Sequence, residues 1–387
     1  MPTKPLNQKE VLIKTMQIKS VNTVIIGASA AGLACAAQLK RKNIDYVLLE
    51  REDHVAKAWR NHYDRLHLHT NKAASSLPFL KFPNQVGKYP SRLDVIAYLE
   101  QYCKELDLSP QFNTEVLKIK QEDSHWITET DQSMIKSKHV IICTGNTKIP
   151  KPYLKPGIES FSGKIMHSSN YKNGKSFEGQ RVLVVGFGNS ACEIAICLHE
   201  HGAIPAMSVR SAVNIIPRDV LGIPSLTIGV LQSKISPRLA DKLNKPIIKL
   251  AIGNVRKLGL KQPDYGPIEQ IVKHHKIPLL DIGTVKLIRD GEVKIYGDLV
   301  NISKNRIQFE NNQSSDFDAI IVATGYSTGL EKIIDISENR LNDIRYSVKK
   351  RQHFGQANLF FCGYHVAPTG MLREIKIESK LIAEQIT

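Results

Sequence analysis

Two glycine-rich turns carry the clearest chemical signal in the sequence. In the first, an apolar run leads into Gly27, and Gly32 follows at the start of an alanine-rich stretch. A strand that turns at glycine into a helix presents backbone amides to a phosphate, and the last glycine lets the helix approach the strand. Ser29 replaces the middle glycine of the usual fingerprint, which makes the approach to a pyrophosphate more crowded. Glu50 ends the next apolar run, where a carboxylate can accept a hydrogen bond from a ribose hydroxyl. We therefore predict a dinucleotide site here.

The second turn reads Gly186-Phe-Gly188-Asn-Ser-Ala191 and also follows an apolar, β-branched run. Ala191 stands for the third glycine, which the fingerprint tolerates because alanine still allows close packing. The next strand ends in Arg210 instead of an acid. An arginine at this place suits the 2′-phosphate of NADP and removes the carboxylate that NAD prefers. The alternative is a surface arginine at the end of a strand.

Three further strand endings fit the same plan. Two apolar runs end in Thr-Gly, at Thr144-Gly145 and at Thr324-Gly325, and they are typical of points where the chain leaves one domain for another. A third run ends at Gly363 and leads through a loop to Gly370 and a predicted helix. The start of that helix can direct backbone amides at a phosphate or at an anionic flavin ring. Any closing α/β unit would show the same pattern.

Composition excludes several other classes. The 387 residues carry a net charge of +16, but the 53 basic residues are scattered without long runs, so we expect no nucleic-acid partner. The six cysteines form no Cys-x-x-Cys pair and no Cys/His cluster has zinc spacing, so no metal site is predicted. The sequence shows no transmembrane span and no signal-peptide pattern, and a cytoplasmic location is the expectation.

A family resemblance comes from the stretch before the second turn. Phe161, Gly163, His167 and Tyr171 have the spacing of the Phe-x-Gly-x-x-x-His-x-x-x-aromatic fingerprint of flavin-containing monooxygenases. Other segments resemble the plant YUCCA branch, which converts indole-3-pyruvate to indole-3-acetate: Tyr-Asp-Arg-Leu-His-Leu-His at 63–69, Val-Arg-Ser at 209–211, Pro-Arg at 217–218, Leu-Asp-Ile-Gly at 280–283 and Ala-Thr-Gly-Tyr at 323–326. The resemblance extends from about residue 20 to the end of the chain.

The resemblance implies an α/β fold with two Rossmann-like domains, the NADPH-binding domain being inserted into the FAD-binding domain. The predicted boundaries are an N-terminal extension at 1–20, a first FAD-domain part at 21–155, the NADPH domain at 156–319 and a second FAD-domain part at 320–387. The turns and the resemblance together give one set of predicted cofactor contacts: Gly27, Ser29, Ala30, Ala31, Gly32, Glu50, Arg51, Trp59, Arg65, Thr144, Gly145, Gly186, Gly188, Asn189, Ser190, Arg210, Ser211, Thr324, Gly325, Gly363 and Gly370.

The activity implied by the resemblance is an FAD-dependent, NADPH-using monooxygenation. NADPH reduces the flavin, O2 adds to give a C4a-hydroperoxide, and one oxygen passes to a soft nitrogen or sulfur nucleophile or attacks a 2-oxo acid. Asn71 is the predicted catalytic residue, since the family's asparagine amide reaches the flavin and its peroxide. Thr70-Asn71 departs from the Pro-Lys usual in YUCCA sequences, which leaves amine, sulfide and indole acid open as substrates.

Two alternatives differ from this interpretation. A flavin disulfide reductase shares the two-dinucleotide architecture, but it needs the Cys-x-x-Cys pair that the sequence lacks. A non-catalytic FAD-binding protein would keep the turns and lose turnover, and Ser29 is compatible with that. Whether the chain forms a homodimer stays open.

Overall fold

The structure of the protein is a computed structural model that describes residues 18–232, 235–274, 276–334, 358–365, 367 and 369–386. Most of the predicted extension at 1–20 therefore lies outside the described residues. The strands are β1 (Ile18–Ile26), β2 (Tyr46–Leu49), β3 (Pro110–Gln111), β4 (Val116–Glu122), β5 (His125–Thr130), β6 (Met134–Ile142), β7 (Ile149–Pro150), β8 (Lys164–His167), β9 (Arg181–Val185), β10 (Ile204–Ser208), β11 (Ile215–Pro217), β12 (Asp219–Val220), β13 (Ile223–Pro224), β14 (Leu279–Asp281), β15 (Lys294–Tyr296), β16 (Leu299–Ser303), β17 (Arg306–Phe309), β18 (Ser314–Asp316), β19 (Ala319–Val322), β20 (Tyr326–Ser327) and β21 (Leu359–Phe361).

The α-helices alternate with these strands in the manner of an α/β protein. They are α1 (Ala30–Arg41), α2 (Lys57–Asn61), α3 (Lys72–Ser75), α4 (Arg92–Glu105), α5 (Asn189–Glu200), α6 (Ser225–Leu231), α7 (Pro237–Ile252), α8 (Pro267–His274), α9 (Thr284–Arg289) and α10 (Met371–Gln385). The predicted α/β class is confirmed. No helix in the described part of the chain is long and apolar enough to cross a bilayer.

The first sheet has the strand order β3-β2-β1-β6-β5-β4, with β21 beside β6. Strand β1 lies between β2 and β6 and runs parallel to both. Val24, Ile25 and Ile26 at its end are all buried, although neighbouring side chains point to opposite faces. Such a continuous apolar run is typical of a parallel strand that is covered on both faces. The end of β1 and the turn after it are therefore fixed inside the molecule.

The second sheet has the order β15-β10-β9-β19-β8 and is parallel throughout. Its strands all fall in sequence between β6 and β21 of the first sheet. Two separate sheets, each with a parallel core around the strand that leads into a glycine turn, agree with the prediction of two dinucleotide-binding units. Strand β19 starts at Ala319 and pairs along its length with β8 and β9. The second sheet thus continues past the predicted boundary at residue 320, because this apolar strand completes its core.

The chain crosses between the two sheets at two adjacent places. Strand β7, after the first sheet, pairs antiparallel with β20, after the second sheet, so that Ile149 faces Ser327 and Pro150 faces Tyr326. Lys151 N donates a further hydrogen bond to the Gly325 carbonyl, 3.1 Å away. The outgoing and returning segments therefore form one short two-stranded ribbon.

Candidate cofactor and active site

The first glycine turn has a backbone that only glycine accommodates. Gly27 has φ +101°, and a Cβ atom there would stand 2.9 Å from the Cys143 carbonyl oxygen. A Cβ atom on Gly32, in the first turn of α1, would stand 1.8 Å from the Gly27 carbonyl oxygen. Gly27 N donates to the Leu49 carbonyl at 2.8 Å, which fixes the turn against β2. The turn brings α1, β2 and the end of β6 together as tightly as the backbone permits.

The amino terminus of α1 is left without a side-chain cap. Ser29 occupies the N-cap position, but its hydroxyl accepts no hydrogen bond from the helix. The first amides of a helix need acceptors, and an uncapped start favours an anion there. Glu50 lies beside this turn and accepts from Ala28 N at 2.7 Å and from Glu52 N at 3.1 Å. Its carboxylate oxygens retain lone pairs for a ribose hydroxyl.

A cavity of about 810 Å³ opens at this turn. Its volume falls within the range of about 300–1,000 Å³ that is usual for cofactor sites. Ten of the predicted contact residues line it: Gly27, Ser29, Ala30, Ala31, Glu50, Arg51, Trp59, Thr144, Gly145 and Gly363. Gly32 lies behind the lining, where it sets the distance between α1 and the turn. Sequence reasoning missed Lys57, His62, Lys148 and Lys172, which also line the cavity and bring cations and an imidazole to it.

The start of α10 borders the same cavity. Gly370 is the N-cap, has φ +94°, and provides no side chain to cap the helix, while Met371 and Leu372 after it line the cavity. A Cβ atom on Gly370 would meet Thr70 Cγ2 at 2.3 Å. Gly363 similarly allows β21 to approach Ala31 of α1. The cavity is therefore bordered by two uncapped helix starts. Because the amino-terminal amides of a helix attract negative charge, this arrangement favours an extended anionic cofactor.

The second glycine turn repeats this local geometry on the second sheet. Gly186 has φ +122°, and a Cβ atom there would stand 2.7 Å from the Ala323 carbonyl oxygen. Gly188 is the N-cap of α5, and a Cβ atom on it would meet nothing within 4 Å. Asn189 Oδ1 accepts from Leu280 N at 3.1 Å and holds β14 beside the turn. This helix start is also free of a side-chain cap, with open space in front of Gly188.

Arg210 and Ser211 follow β10 and are both exposed. In the part of the chain that the structure describes, no carboxylate forms an ion pair with Arg210. Burial raises the pKa of Tyr153, as does the charge of Asp298, and the nearby Arg210 opposes that shift. Arg210 is thus an accessible cation at the edge of the second sheet. Gly186, Gly188, Asn189, Ser190, Arg210, Ser211, Thr324 and Gly325 do not line the first cavity.

Arg65 was predicted to contact the cofactor, but in the structure its side chain contacts a carboxylate of the protein. Its guanidinium forms two hydrogen bonds of 2.9 Å to Glu200 at the end of α5. It does not line the cavity, whereas Trp59, the third residue of α2, does. The Arg65–Glu200 pair connects the segment after α2 to the second sheet's main helix, and this geometry favours a role in joining the two halves.

Asn71 begins the short helix α3. Its Oδ1 atom accepts from Ala74 N at 2.8 Å, so the side-chain oxygen serves as the helix cap. The residue does not line the cavity, but the neighbouring Thr70 packs against Gly370 at the start of α10. The capping oxygen is committed to the backbone, which leaves the amide nitrogen as the part of Asn71 that can donate to a ligand.

The fingerprint histidine lies where the chain returns from the second sheet. His167 Nε2 is 3.2 Å from the Gly325 carbonyl oxygen, and its ring meets the Tyr326 ring edge-on at 4.8 Å between centroids. Burial lowers the pKa of His167, and the contact with the Gly325 carbonyl opposes this shift. Tyr326 lines the first cavity. His167 therefore braces β8 and β20 at the edge of the cavity.

A buried polar pair between the two halves was not predicted from the sequence. His69 Nε2 is 2.8 Å from Glu193 Oε1, and Glu193 is almost fully buried in α5. Burial raises the pKa of Tyr63 well above its usual value, and the charge of Glu193 adds to this. The one available signal was a single carboxylate in the otherwise apolar helical run after Ser190.

The thiols give little support to disulfide chemistry. All six cysteines are free, and Cys35, Cys143 and Cys362 are buried together around the first turn. Burial raises the pKa of Cys143 and Cys362 well above the usual range. Because the thiolate is the reactive species, thiols in this environment are poor nucleophiles. The arrangement does not provide the reactive pair that a disulfide reductase uses.

The chain is similar to known proteins both in sequence and in fold. The family described as Pyridine nucleotide-disulphide oxidoreductase matches residues 24–223. The probable indole-3-pyruvate monooxygenase YUCCA1 of Arabidopsis thaliana is 40% identical over 313 residues, covering 79% of this chain and 76% of the relative. The flavin-containing monooxygenase from Stenotrophomonas maltophilia superposes with a TM-score of 0.70 at 21% identity, over 95% of this chain and 98% of that one. A steroid monooxygenase bound to NADP gives 0.73 at 20% identity, over 95% and 84%.

Proposed function

Since the chain belongs to the flavin-containing monooxygenases and is a flavin-dependent enzyme similar to their YUCCA branch, we propose that it oxygenates a small organic substrate with FAD, NADPH and O2. The observation that carries this proposal is the cavity at the first glycine turn, bordered by two uncapped helix starts. The turn at Gly186 supplies a second dinucleotide site on a separate sheet. A steroid monooxygenase of similar fold is described as bound to NADP, which supports a nicotinamide dinucleotide as one of the two cofactors.

The residues of the first cavity fit FAD. A Cβ atom on Gly145 would meet nothing within 4 Å, so this side of the cavity has room for a bulky group. We assign the pyrophosphate to the amides after Ser29, the ribose to Glu50, and the flavin end to the space between Trp59, Gly145 and the start of α10. Bound FAD would supply the redox chemistry, by accepting a hydride and activating O2.

The second turn fits NADPH. We assign its pyrophosphate to the amides that follow Gly188 and its 2′-phosphate to Arg210 and Ser211. We propose that the inserted NADPH domain begins at residue 156 and extends through β19, beyond the predicted limit at 319, and that the FAD domain comprises residues 21–155 and the part of the chain after β19. His167 and the β7–β20 ribbon connect the two sites.

The substrate class that we propose is a soft amine or thioether or a 2-oxo acid. The names of the curated relatives favour a 2-oxo acid such as indole-3-pyruvate. The Thr70-Asn71 pair favours a broader monooxygenase, because it resembles the Thr-Asn of that wider group and differs from the Pro-Lys that is usual in those plant sequences. The cationic lining residues Lys57, Lys148 and Lys172 would attract an anionic substrate or cofactor.

We expect Asn71→Asp to uncouple the enzyme without weakening its fold. The aspartate retains the oxygen that caps α3, but it lacks the amide hydrogens that we propose donate to the bound oxygen species. NADPH should still reduce the flavin, while product formed per NADPH falls and H2O2 release rises. Asn71→Ala serves as the comparison, since it also removes the cap and should cost about 1 kcal/mol of stability. Unchanged coupling in Asn71→Asp would assign Asn71 to helix capping alone.

The experiment that tests the proposed function starts from the purified protein. It should be yellow, and NADPH should bleach it under anaerobic conditions. NADPH oxidation is then measured with amines, thioethers and 2-oxo acids, with H2O2 quantified in parallel. Substrate-dependent consumption of O2 with a matching oxygenated product supports the proposal. A colourless protein that does not take up FAD would favour the non-catalytic alternative, and reduction of a disulfide substrate would favour a reductase.

A further inference from the structure

Helix α7 exposes an apolar stripe that nothing in the described chain covers. Leu239, Leu243, Ile247 and Leu250 are spaced so that they lie on one face of the helix. Their exposed fractions are 48%, 56%, 41% and 91%, whereas Ala240 and Ile252 on the inner face are buried. A contiguous exposed stripe of large apolar side chains differs from the scattered apolar residues of an ordinary surface, and it marks an interaction site.

A basic stripe runs beside the apolar one. Arg238, Lys242, Lys245 and Lys249 follow the spacing i, i+4, i+7 and i+11 along the same helix, and all four are exposed. Arg238 lies 3.4 Å from Glu269 Oε1, and in the described ranges the three lysines form no ion pair. Helix α7 therefore presents an apolar row and a cationic row next to each other on its outer surface.

The segment before α7 extends this surface. Leu231 at the end of α6 is 76% exposed, and Ile235 precedes the helix with 37% of its surface exposed. Gln232 and Asn244 exchange two side-chain hydrogen bonds of 2.9 and 2.8 Å, which hold the end of α6 against α7. We call Leu231, Ile235 and the two stripes of α7 the basic-apolar face.

We propose that the basic-apolar face docks on an anionic lipid bilayer. An amphipathic helix with apolar and Lys/Arg rows lies in the plane of the membrane surface, with its apolar side chains in the acyl boundary and its cations among the anionic headgroups. The side chains of Leu243 and Leu250 would enter the bilayer, while Lys242, Lys245 and Lys249 would contact lipid phosphates and carboxylates.

The charges of the face argue against a second copy of this chain as its partner. Asp241 is the one acidic residue in the sequence of α7, and its carboxylate accepts from Ile268 N at 2.8 Å and Glu269 N at 2.9 Å. It is therefore used to hold the start of α8. A two-fold contact would bring the lysine rows of two copies close to each other without acidic partners, which is unfavourable. An anionic bilayer complements both rows.

The test is co-sedimentation of the flavin-loaded protein with phosphatidylcholine vesicles, with and without phosphatidylserine. We expect binding to the anionic vesicles and little to the neutral ones. Raising the ionic strength from about 0.1 M to about 1 M shortens the Debye length from about 10 Å to about 3 Å and should weaken the binding. Equal binding to both vesicle types, or no binding to either, would overturn the proposal.

Two sets of substitutions test the contributions of the basic row and of the apolar row to vesicle binding separately. Lys242→Gln/Lys245→Gln/Lys249→Gln should weaken partitioning on the order of 100-fold, as three headgroup contacts are lost. Leu243→Gln/Leu250→Gln should weaken it by at least about tenfold. Leu93→Gln/Ile204→Gln is the matched control, because these residues are 65% and 57% exposed on other elements and should leave binding unchanged.

The alternative partner of the basic-apolar face, a second copy of this chain, is tested by the oligomeric state. The protein and the Leu243→Gln/Leu250→Gln variant are compared by size-exclusion chromatography with light scattering, and NADPH oxidation is measured for both. A dimer that this variant converts to a monomer, without vesicle binding by either, would assign the face to a second copy. NADPH oxidation without lipid should not change, because none of these residues lines the cavity or the second turn.

Discussion

Gly32→Ala is expected to yield a protein that purifies without flavin and melts at a lower temperature. The new Cβ atom would stand 1.8 Å from the Gly27 carbonyl oxygen, a contact between backbone and side chain that no rotamer change can relieve. Helix α1 would have to move away from β1, and its amides would lose their place at the cavity. We expect the free energy of unfolding to fall by about 3 kcal/mol or more. Flavin absorbance per mole of protein and thermal melting measure the two effects.

Gly87→Ala is the matched control for this substitution. A Cβ atom on Gly87 would meet nothing within 4 Å, and the residue lies in an exposed loop. Flavin content and melting temperature should therefore stay at the values of the parent protein. If Gly32→Ala bound flavin as fully as Gly87→Ala, the cofactor could not depend on the close approach of α1 to the first turn.

Arg210→Ala is expected to raise the KM for NADPH about 30-fold and to change the KM for NADH little. The loss of one charged contact costs about 2 kcal/mol, which corresponds to this factor. Arg210 is exposed and makes no ion pair in the described part of the chain, so its removal should leave the fold intact. Steady-state oxidation of both nucleotides is measured over a range of concentrations.

Arg256→Ala controls for the general loss of one positive charge. Arg256 is exposed in the same half of the chain and lies in the 3₁₀ helix Val255–Leu258, far from the second glycine turn in sequence. It should leave both KM values nearly unchanged. Equal increases for NADPH and NADH in Arg210→Ala would exclude Arg210 from recognition of the 2′-phosphate, and the cofactor preference would then need another cation.

The glycine turns could be found from the sequence because their requirements are local. Gly27 and Gly186 both have positive φ, and a Cβ atom on either would stand less than 3 Å from a neighbouring carbonyl oxygen, so another residue would fit only after a shift of the backbone. The apolar runs before them are strands β1 and β9, each of which lies between two parallel neighbours, and such buried strands have continuous apolar sequences. Pattern and spacing were therefore sufficient to locate the two turns.

Side-chain partners that are distant in the sequence could not be found in the same way. The prediction placed Arg65 at the flavin, but the fold brings Glu200 within 2.9 Å of it, and the two charges satisfy each other. The contact of His69 with Glu193 likewise depends on how the two halves meet. The contact of Asn71 is local by comparison, because its side chain caps the helix that it precedes. An asparagine directly before a helix is a recognised capping signal.

The domain limit near residue 320 depends on strand pairing that is distant in the sequence. Strand β19 is as apolar as the strands of either sheet, and its sequence contains nothing that says which sheet it joins. In the structure it lies between β8 and β9 and belongs to the second sheet. Periodicity identifies a buried strand, whereas its neighbours are decided by long-range packing.

The β7–β20 ribbon limits how the two halves can move. Because both crossings are hydrogen-bonded to each other, we expect them to bend together, as a single hinge with one axis. Nucleotide exchange at Gly186 would then proceed by rocking about that axis, with the flavin half held still. Stiffening the ribbon is expected to slow product turnover while the strength of nucleotide binding at equilibrium stays the same.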